Sequence, residues 1–453
     1  DQVWILTTNN LLSIFAIVSV KTLYSTTGGL RSVVTTDVMQ FFLMLLATAF
    51  YCGYVIYEAG GFAAIYEKIQ TLYAAAPESM PSGKEIFAFT PTQAYDLSGT
   101  LITVIAFQWL IQMNSDGTGY LAQRTMACRS SKDARIASVV FSFSQIFLRT
   151  LLWLPIGLGL LVIFPPEQMS NLDNFTAARE ATYVLGMAEL LPIGVKGLLL
   201  TGMLAALAST IDTHLNWGSS YWSHDLYGRI YCEIYKSRKP NPRTLVTVAR
   251  FSNLFILLLA LLIMANLDNI QTAWKASLIM GSSMGVAQVL RWLWWRMNSW
   301  GEIAAILSSV ITTPILLFYL PDTGEGSKLL IMAVISTLSC LLGVFLGGVE
   351  SRETLERFYK RVRPVGFWKP IAKNLGYENI DRSMKEFKSS LLAMLSCAGS
   401  LFTLLVACGS WLVQAPPPSW FPHFKIWIIL NFLLAFALLP FWWKKVFSFQ
   451  DNE

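Results

Sequence analysis

The chain has 453 residues, 54% of them hydrophobic and 14% charged, with 34 Lys and Arg against 28 Asp and Glu and a formal net charge of +6. A water-soluble globular domain carries about a quarter charged residues, so water is excluded as the main solvent of this chain. Six single cysteines and three dispersed histidines indicate neither a disulfide framework nor a zinc site, and the positive balance needs no nucleic-acid partner, because it follows from loop asymmetry.

The chain opens Asp1-Gln2-Val3-Trp4, with no initiator Met, basic leader or cleavage site, and reads as excised or incomplete. A bilayer core takes roughly twenty apolar residues per helix. About eleven runs qualify, near 8–24, 34–57, 98–119, 136–164, 193–220, 246–266, 273–295, 302–320, 328–348, 388–412 and 425–443. The expected fold class is therefore an all-α polytopic membrane protein with about eleven transmembrane helices. Trp4, Trp274, Trp300, Trp427, Trp442 and Trp443 stand at or near run ends, where amphipathic rings suit the membrane interface.

Lys and Arg crowd into Arg124 to Arg135, Arg229 to Arg250, Arg291 to Arg296, Arg352 to Lys388, and Lys444 with Lys445. By the positive-inside rule these stretches are cytoplasmic, and 58–97, 166–192, 267–272, 321–327 and 413–424 face outward. An odd span count follows, with the chain's first residue outside and its last inside. The segment 350–388 reads as a charged cytoplasmic linker.

An ionisable side chain inside a span costs a few kcal/mol and is a functional candidate. Asp37 follows Gly28-Gly29, and Thr36, Asp37 and Gln40 put oxygens on about one helix face. Asp37 could equally be a carboxylate capping a helix start. Gln108 to Tyr120 forms a polar, glycine-rich run end, which suits either a cavity lining or an ordinary helix terminus. Arg149 sits halfway along its run, too far from either end to snorkel easily, and calls for an anionic ligand or a carboxylate such as Asp116 or Asp212. Further on, Ala206, Ser209, Thr210 and Thr213 recur at i, i+3, i+4 and i+7, one helical face, with Asp212 beside it. Oxygen ligands of this kind replace the hydration shell of a hard cation such as sodium. Ser and Thr also serve as helix-packing residues; Asp212 tips the reading toward an ion or polar pathway.

Three segments carry a family resemblance: Tyr24 to Gln40, Tyr120-Leu-Ala-Gln123-Arg124-Thr125, and Gly197 to Tyr227 with Ala208-Ser209-Thr210-Ile211-Asp212 and His224-Asp225-Leu226-Tyr227. Together they resemble the sodium/solute symporter family, over nearly the whole chain apart from the last two spans. Trp274-Lys275, Leu290-Arg291-Trp292 and Glu353-Thr354-Leu355 further resemble a mostly bacterial branch of it. The resemblance implies a LeuT-like inverted-repeat core, incomplete at its N-terminus here, because the first run matches the fourth core helix. It implies a core over 1–295, peripheral C-terminal helices over 296–453, and a place in the bacterial inner (plasma) membrane. The implied activity is sodium-coupled symport of a small organic solute by alternating access, with sodium as coupling ion and no other cofactor.

Position by position, Ser209 and Thr210 match the family's sodium-binding hydroxyls, Ala206 a carbonyl ligand, and Asp37 an acidic residue on the ion route. Asp212 and Thr213 fall where some members place two further hydroxyls; a carboxylate at 212 is a departure and keeps proton coupling open. The sugar carriers' aromatic gate aligns with Asn114 and Ser115, and their pocket lysine near Gln145, so a sugar pocket of that kind is not expected. Candidate pocket residues are Gln112, Asn114, Asp116, Gln145 and Arg149, for an organic anion, amino acid or other small metabolite. HExxH and P-loop motifs are absent from the sequence, so no enzyme is expected. A transporter-like sensor is the competing class.

Overall fold

The computed structural model describes residues 30–74, 82–87, 124–165, 175–266, 270–320, 323–377, 380–418 and 420–447. The expected runs at 8–24 and 98–119, with Gln112, Asn114 and Asp116, lie outside the described residues. The described residues form helices and no strand, with one isolated parallel bridge between Trp294 and Phe367. Eight helices among them are long and apolar enough to cross a membrane. Inside hydrocarbon each backbone N–H and C=O must be paired within its own segment, which turns these apolar runs into helices. Two compact units result, one of residues 1–72 and 149–272, the other of 73–148 and 273–453.

The first unit holds α1 (Leu30–Ala59), α2 (Phe62–Leu72), the later part of α3 (Ser131–Ile163), α4 (Phe175–Leu190), α5 (Ile193–Tyr235) and α6 (Pro242–Met264). Helix α1 is the hub, packing on both α3 and α5. Ala47, Tyr51 and Val55, at i, i+4 and i+8, are fully buried on one face of α1. They meet Ile156 and Leu160 of α3, Met187 of α4 and Leu199 of α5. The Tyr51 hydroxyl donates to the Tyr183 carbonyl at 2.8 Å, satisfying a polar atom inside this core.

Several elements differ from the reading of the sequence. The stretch 166–192, expected as an outer loop, contains α4, whose Ala178, Ala181 and Met187 are buried. At 16 residues it is too short for a span-length search to find. Helix α5, expected to stop near 220, continues to Tyr235, its last stretch Tyr221–Tyr235 being π-helical. No proline intervenes before Pro240, and Tyr227, Tyr231 and Tyr235 stack at i, i+4 with ring centroids 5.6 and 6.1 Å apart. The expected span 273–295 is broken into α7 (Ile270–Ser282) and α8 (Gly285–Leu293). Glycines flank the break, and the Ser282 and Ser283 hydroxyls each bond back to a carbonyl three residues earlier at 2.7 Å, competing with the helix ladder.

The second unit adds α9 (Ser299–Phe318), α10 (Glu325–Gly347), α11 (Arg352–Val362), α12 (Lys369–Asn374), α13 (Ile380–Val413) and α14 (Phe424–Phe447) to α7, α8 and the start of α3. Helices α9 and α10 run antiparallel, since Trp300 meets Gly343 and Gly347 while Leu316 meets Met332. A Cβ on Gly343 would sit 2.6 Å from the Trp300 carbonyl oxygen, so only glycine lets the two backbones approach this closely. Helix α13 pairs with α14 through the Ser400 hydroxyl, which donates to the Ala435 carbonyl at 2.8 Å. The expected linker 350–388 is folded, with α11 and α12 inside it, and α13 starts eight residues before 388, at Ile380.

Candidate functional site

The site begins on α1. Helix α1 spans Leu30–Ala59, and Asp37 lies about two turns inside it, so the helix-start alternative does not hold. Facing it is α5, where the Ser209 hydroxyl donates to Asp37 Oδ1 at 2.5 Å. That length belongs to a hydroxyl bonded to a carboxylate, which is stronger than a bond between neutral partners. Gln40 follows Asp37 by three positions, one turn along the same face. Its side-chain carbonyl oxygen is buried, and no donor among the described residues reaches it.

On α5 the Thr210 hydroxyl donates to the Ala206 carbonyl at 3.0 Å, and both residues are exposed. A hydroxyl has one hydrogen and two lone pairs, so Thr210 keeps acceptor capacity after this back-bond. Asp212 is 1% exposed and shares the buried stripe of Leu199, Gly202, Leu215 and Ser219. Its backbone carbonyl accepts from the Asn216 amide at 3.0 Å. Thr213, next to it, is half-buried. The sequence-derived set therefore divides: Asp37 and Ser209 are joined, Ala206 and Thr210 lie exposed one turn apart, and Asp212 is buried on the stripe.

Arg149 is exposed rather than buried at mid-span. Its guanidinium lies 5.6 Å over the Trp153 ring, and that ring is 6.0 Å from Tyr183, in a stacked orientation. Tyr183 meets Tyr51 edge-on at 5.0 Å. A cation over an aromatic face is stabilised by the ring quadrupole, so Trp153 supplies part of what the sequence sought from a carboxylate. Gln145 is half-buried within the π-helical turn Phe143–Leu148 of α3. The sequence does not single out Trp153, Tyr183 and Tyr51 as the aromatic neighbours that lead from Arg149 into the core. The available signal was Tyr51 and Tyr183 as polar aromatics inside otherwise apolar faces.

Membrane-length helices with a carboxylate–hydroxyl pair held between two of them define a polytopic integral membrane protein with a polar site on its helices. The sodium:solute symporter family model matches residues 4–309, and the chain belongs to that family. A sodium/glucose cotransporter of Vibrio parahaemolyticus is 26% identical over 311 residues, 66% of this chain and 54% of the relative. Similarity extends to a sodium/myo-inositol cotransporter 2 of Sus scrofa, 24% identical over 330 residues, 67% of this chain and 47% of the relative. The mouse solute carrier family 5 member 4B is 21% identical over 347 residues, 70% of this chain and 51% of the relative. The chain spans about half the length of the curated relatives it matches.

Proposed function

We propose that the protein containing this chain is a secondary active transporter that couples entry of a small organic solute to sodium by alternating access. The observation that carries the reading is the Ser209–Asp37 pair, a hydroxyl and a carboxylate held at 2.5 Å between α1 and α5. Sodium is a hard cation that takes oxygen ligands, and Asp37, Ser209 and the buried Gln40 oxygen supply that donor type on neighbouring turns. With the Ser209 hydrogen turned away, its hydroxyl lone pair and the Asp37 carboxylate would both be available as oxygen donors to sodium. Ala206, Thr210 and Thr213 extend the same oxygen-bearing helix and complete the proposed ion route. Residues 1–295 form the proposed core and 296–453 its periphery, in a plasma membrane with the cation-rich loops on the cytoplasmic side.

For the solute, Gln145 and Arg149 are the proposed contacts among the described residues, and Gln112, Asn114 and Asp116 are the further candidates taken from the sequence. An exposed guanidinium braced on Trp153 suits an organic anion or the carboxylate of an amino acid. The relatives' printed names concern glucose and myo-inositol; the family resemblance aligns the sugar carriers' aromatic gate with Asn114 and Ser115 and their pocket lysine near Gln145, which favours a different solute.

Proton coupling is the second reading, favoured by the burial of Asp212 one turn along α5 from Ser209. Binding of radioactive sodium to the full-length protein, with and without Ser209→Ala and Thr210→Ala across a pH series, separates the two. Saturable binding lost in the variants supports sodium symport. Absence of sodium binding, with proton uptake that Asp212→Asn abolishes, would replace it with proton coupling.

A further inference from the structure

Between α10 and α13 the chain builds a small folded platform at the membrane end of two spans. Helix α11 begins five residues after α10 ends. The Asn298 side-chain amide donates to the Val344 and Gly348 carbonyls at 3.0 and 2.5 Å, tying the start of α9 to the end of α10. The platform is then latched to α8 by backbone. Phe367 N–H donates to the Leu293 carbonyl at 2.6 Å, and the Trp368 indole N–H donates to the Trp292 carbonyl at 2.7 Å. Leu355, Tyr359, Trp368, Ile371 and Ala372 form its buried core.

Its outer surface carries an excess of positive charge. Both acids of α11 are already engaged by cations one turn away, Glu353 with Arg357 at 2.6 Å and Glu356 with Arg352 at 2.7 Å. Lys360, Arg361, Arg363, Lys369 and Lys373 remain, all exposed, with no further acid between 351 and 373. Among these cations stand two exposed apolar side chains, Phe367 at 72% and Val362 at 44%. Water alone is a poor partner for Phe367. A protein-free acidic surface explains the lysines and arginines but not the apolar residues, whereas the headgroup layer of a bilayer offers phosphates and acyl boundary together.

We propose that residues 351–377 dock onto anionic phospholipid headgroups, the five cations taking phosphates while Phe367 and Val362 enter the headgroup layer. The platform adjoins membrane ends by covalent connection on both sides, so the surface is held where such lipids lie. This rests on charge and placement, independently of the transport reading.

The test places a photoreactive p-benzoylphenylalanine at position 367 of the full-length protein. The protein is held in nanodiscs of phosphatidylcholine and phosphatidylglycerol in equal parts, and the crosslinked lipids are identified by mass spectrometry. Phosphatidylglycerol adducts should exceed phosphatidylcholine adducts by roughly fivefold or more, as expected for several basic side chains near a charged surface. The quadruple variant Lys360→Gln, Arg361→Gln, Lys369→Gln and Lys373→Gln should bring the ratio to unity, and raised salt should do the same to the otherwise unaltered protein. Adducts in a ratio of one, no lipid adduct, or a ratio indifferent to salt would each overturn the proposal. Should the quadruple variant misfold, the salt series alone decides it.

Discussion

Ser209 on α5 and Asp37 on α1, 172 positions apart in sequence, are joined by a 2.5 Å hydrogen bond from hydroxyl to carboxylate. A bond to a charged partner contributes about 1.5–3 kcal/mol, so its loss is measurable. Ser209→Ala and Asp37→Asn should each weaken sodium binding by at least about tenfold, which corresponds to about 1.4 kcal/mol. The double variant should be little worse than either single one, because the two side chains act as a unit. Additive losses in a double-mutant cycle of sodium affinity would mean that the pair does not share an ion.

The contact of α9 with α10 turns on one atom that Gly343 lacks. A Cβ there would lie 2.6 Å from the Trp300 carbonyl oxygen and 2.8 Å from the Ala304 methyl carbon, and backbone cannot swing aside. Gly343→Leu should therefore destabilise the protein by about 1–3 kcal/mol through overpacking. Gly53→Leu, at a position with open space around it, should cost less. Thermal unfolding in detergent distinguishes them, and equal midpoints would contradict the close-packed interface.

Much of this architecture is written in the apolar runs. Of the nine expected spans that fall on described residues, eight coincide with membrane-length helices, because hydrocarbon leaves the backbone few other options, and the ninth, 273–295, is broken into α7 and α8. What local pattern does not encode is how a helix is broken or prolonged. The Ser282–Ser283 break and the Tyr221–Tyr235 extension depend on side chains bonding back or stacking after the helix exists. In the site, Asp37 and Ser209 were each legible as polar residues in apolar runs. Their direct bond was not, since no spacing relates residues on α1 and α5. Arg149 misled for the opposite reason: its position in the run suggested burial, while the fold leaves it exposed beside Trp153.

Tyr359 lies in the folded linker, where burial raises its phenol above the ordinary value of 10.0; Tyr377 adds to the shift and Arg363 opposes it. A folded pKa above the unfolded one means the neutral phenol is favoured by the fold. The stability it contributes is fully present below about pH 10 and is lost as pH rises through the folded value. Alkaline titration followed by NMR of isotopically labelled tyrosine should show, among the late-titrating resonances, one that disappears in Tyr359→Phe. The variant should also lessen the loss of platform packing at high pH. A Tyr359 resonance titrating with the exposed tyrosines would remove the argument.

The latch between the platform and α8 concentrates on Gly366, for two separable reasons. Its φ of +103° is one that a side chain resists, and a Cβ would lie 2.7 Å from the Leu293 carbonyl oxygen. That same Leu293 carbonyl accepts the Phe367 N–H, so any retreat of the backbone breaks the bond that holds the latch. Gly376 provides the control, with a φ of +74° and open space around its missing Cβ. Gly376→Ala should show only the conformational penalty, about 1–3 kcal/mol, whereas Gly366→Ala should show that penalty and the overlap together. Amide hydrogen exchange at Phe367 reads the difference directly: it should quicken more in Gly366→Ala than in Gly376→Ala, while amides within α9 and α10 keep their protection. Equal acceleration in the two variants would mean that strain alone matters and that the Leu293 contact does not hold the platform in place.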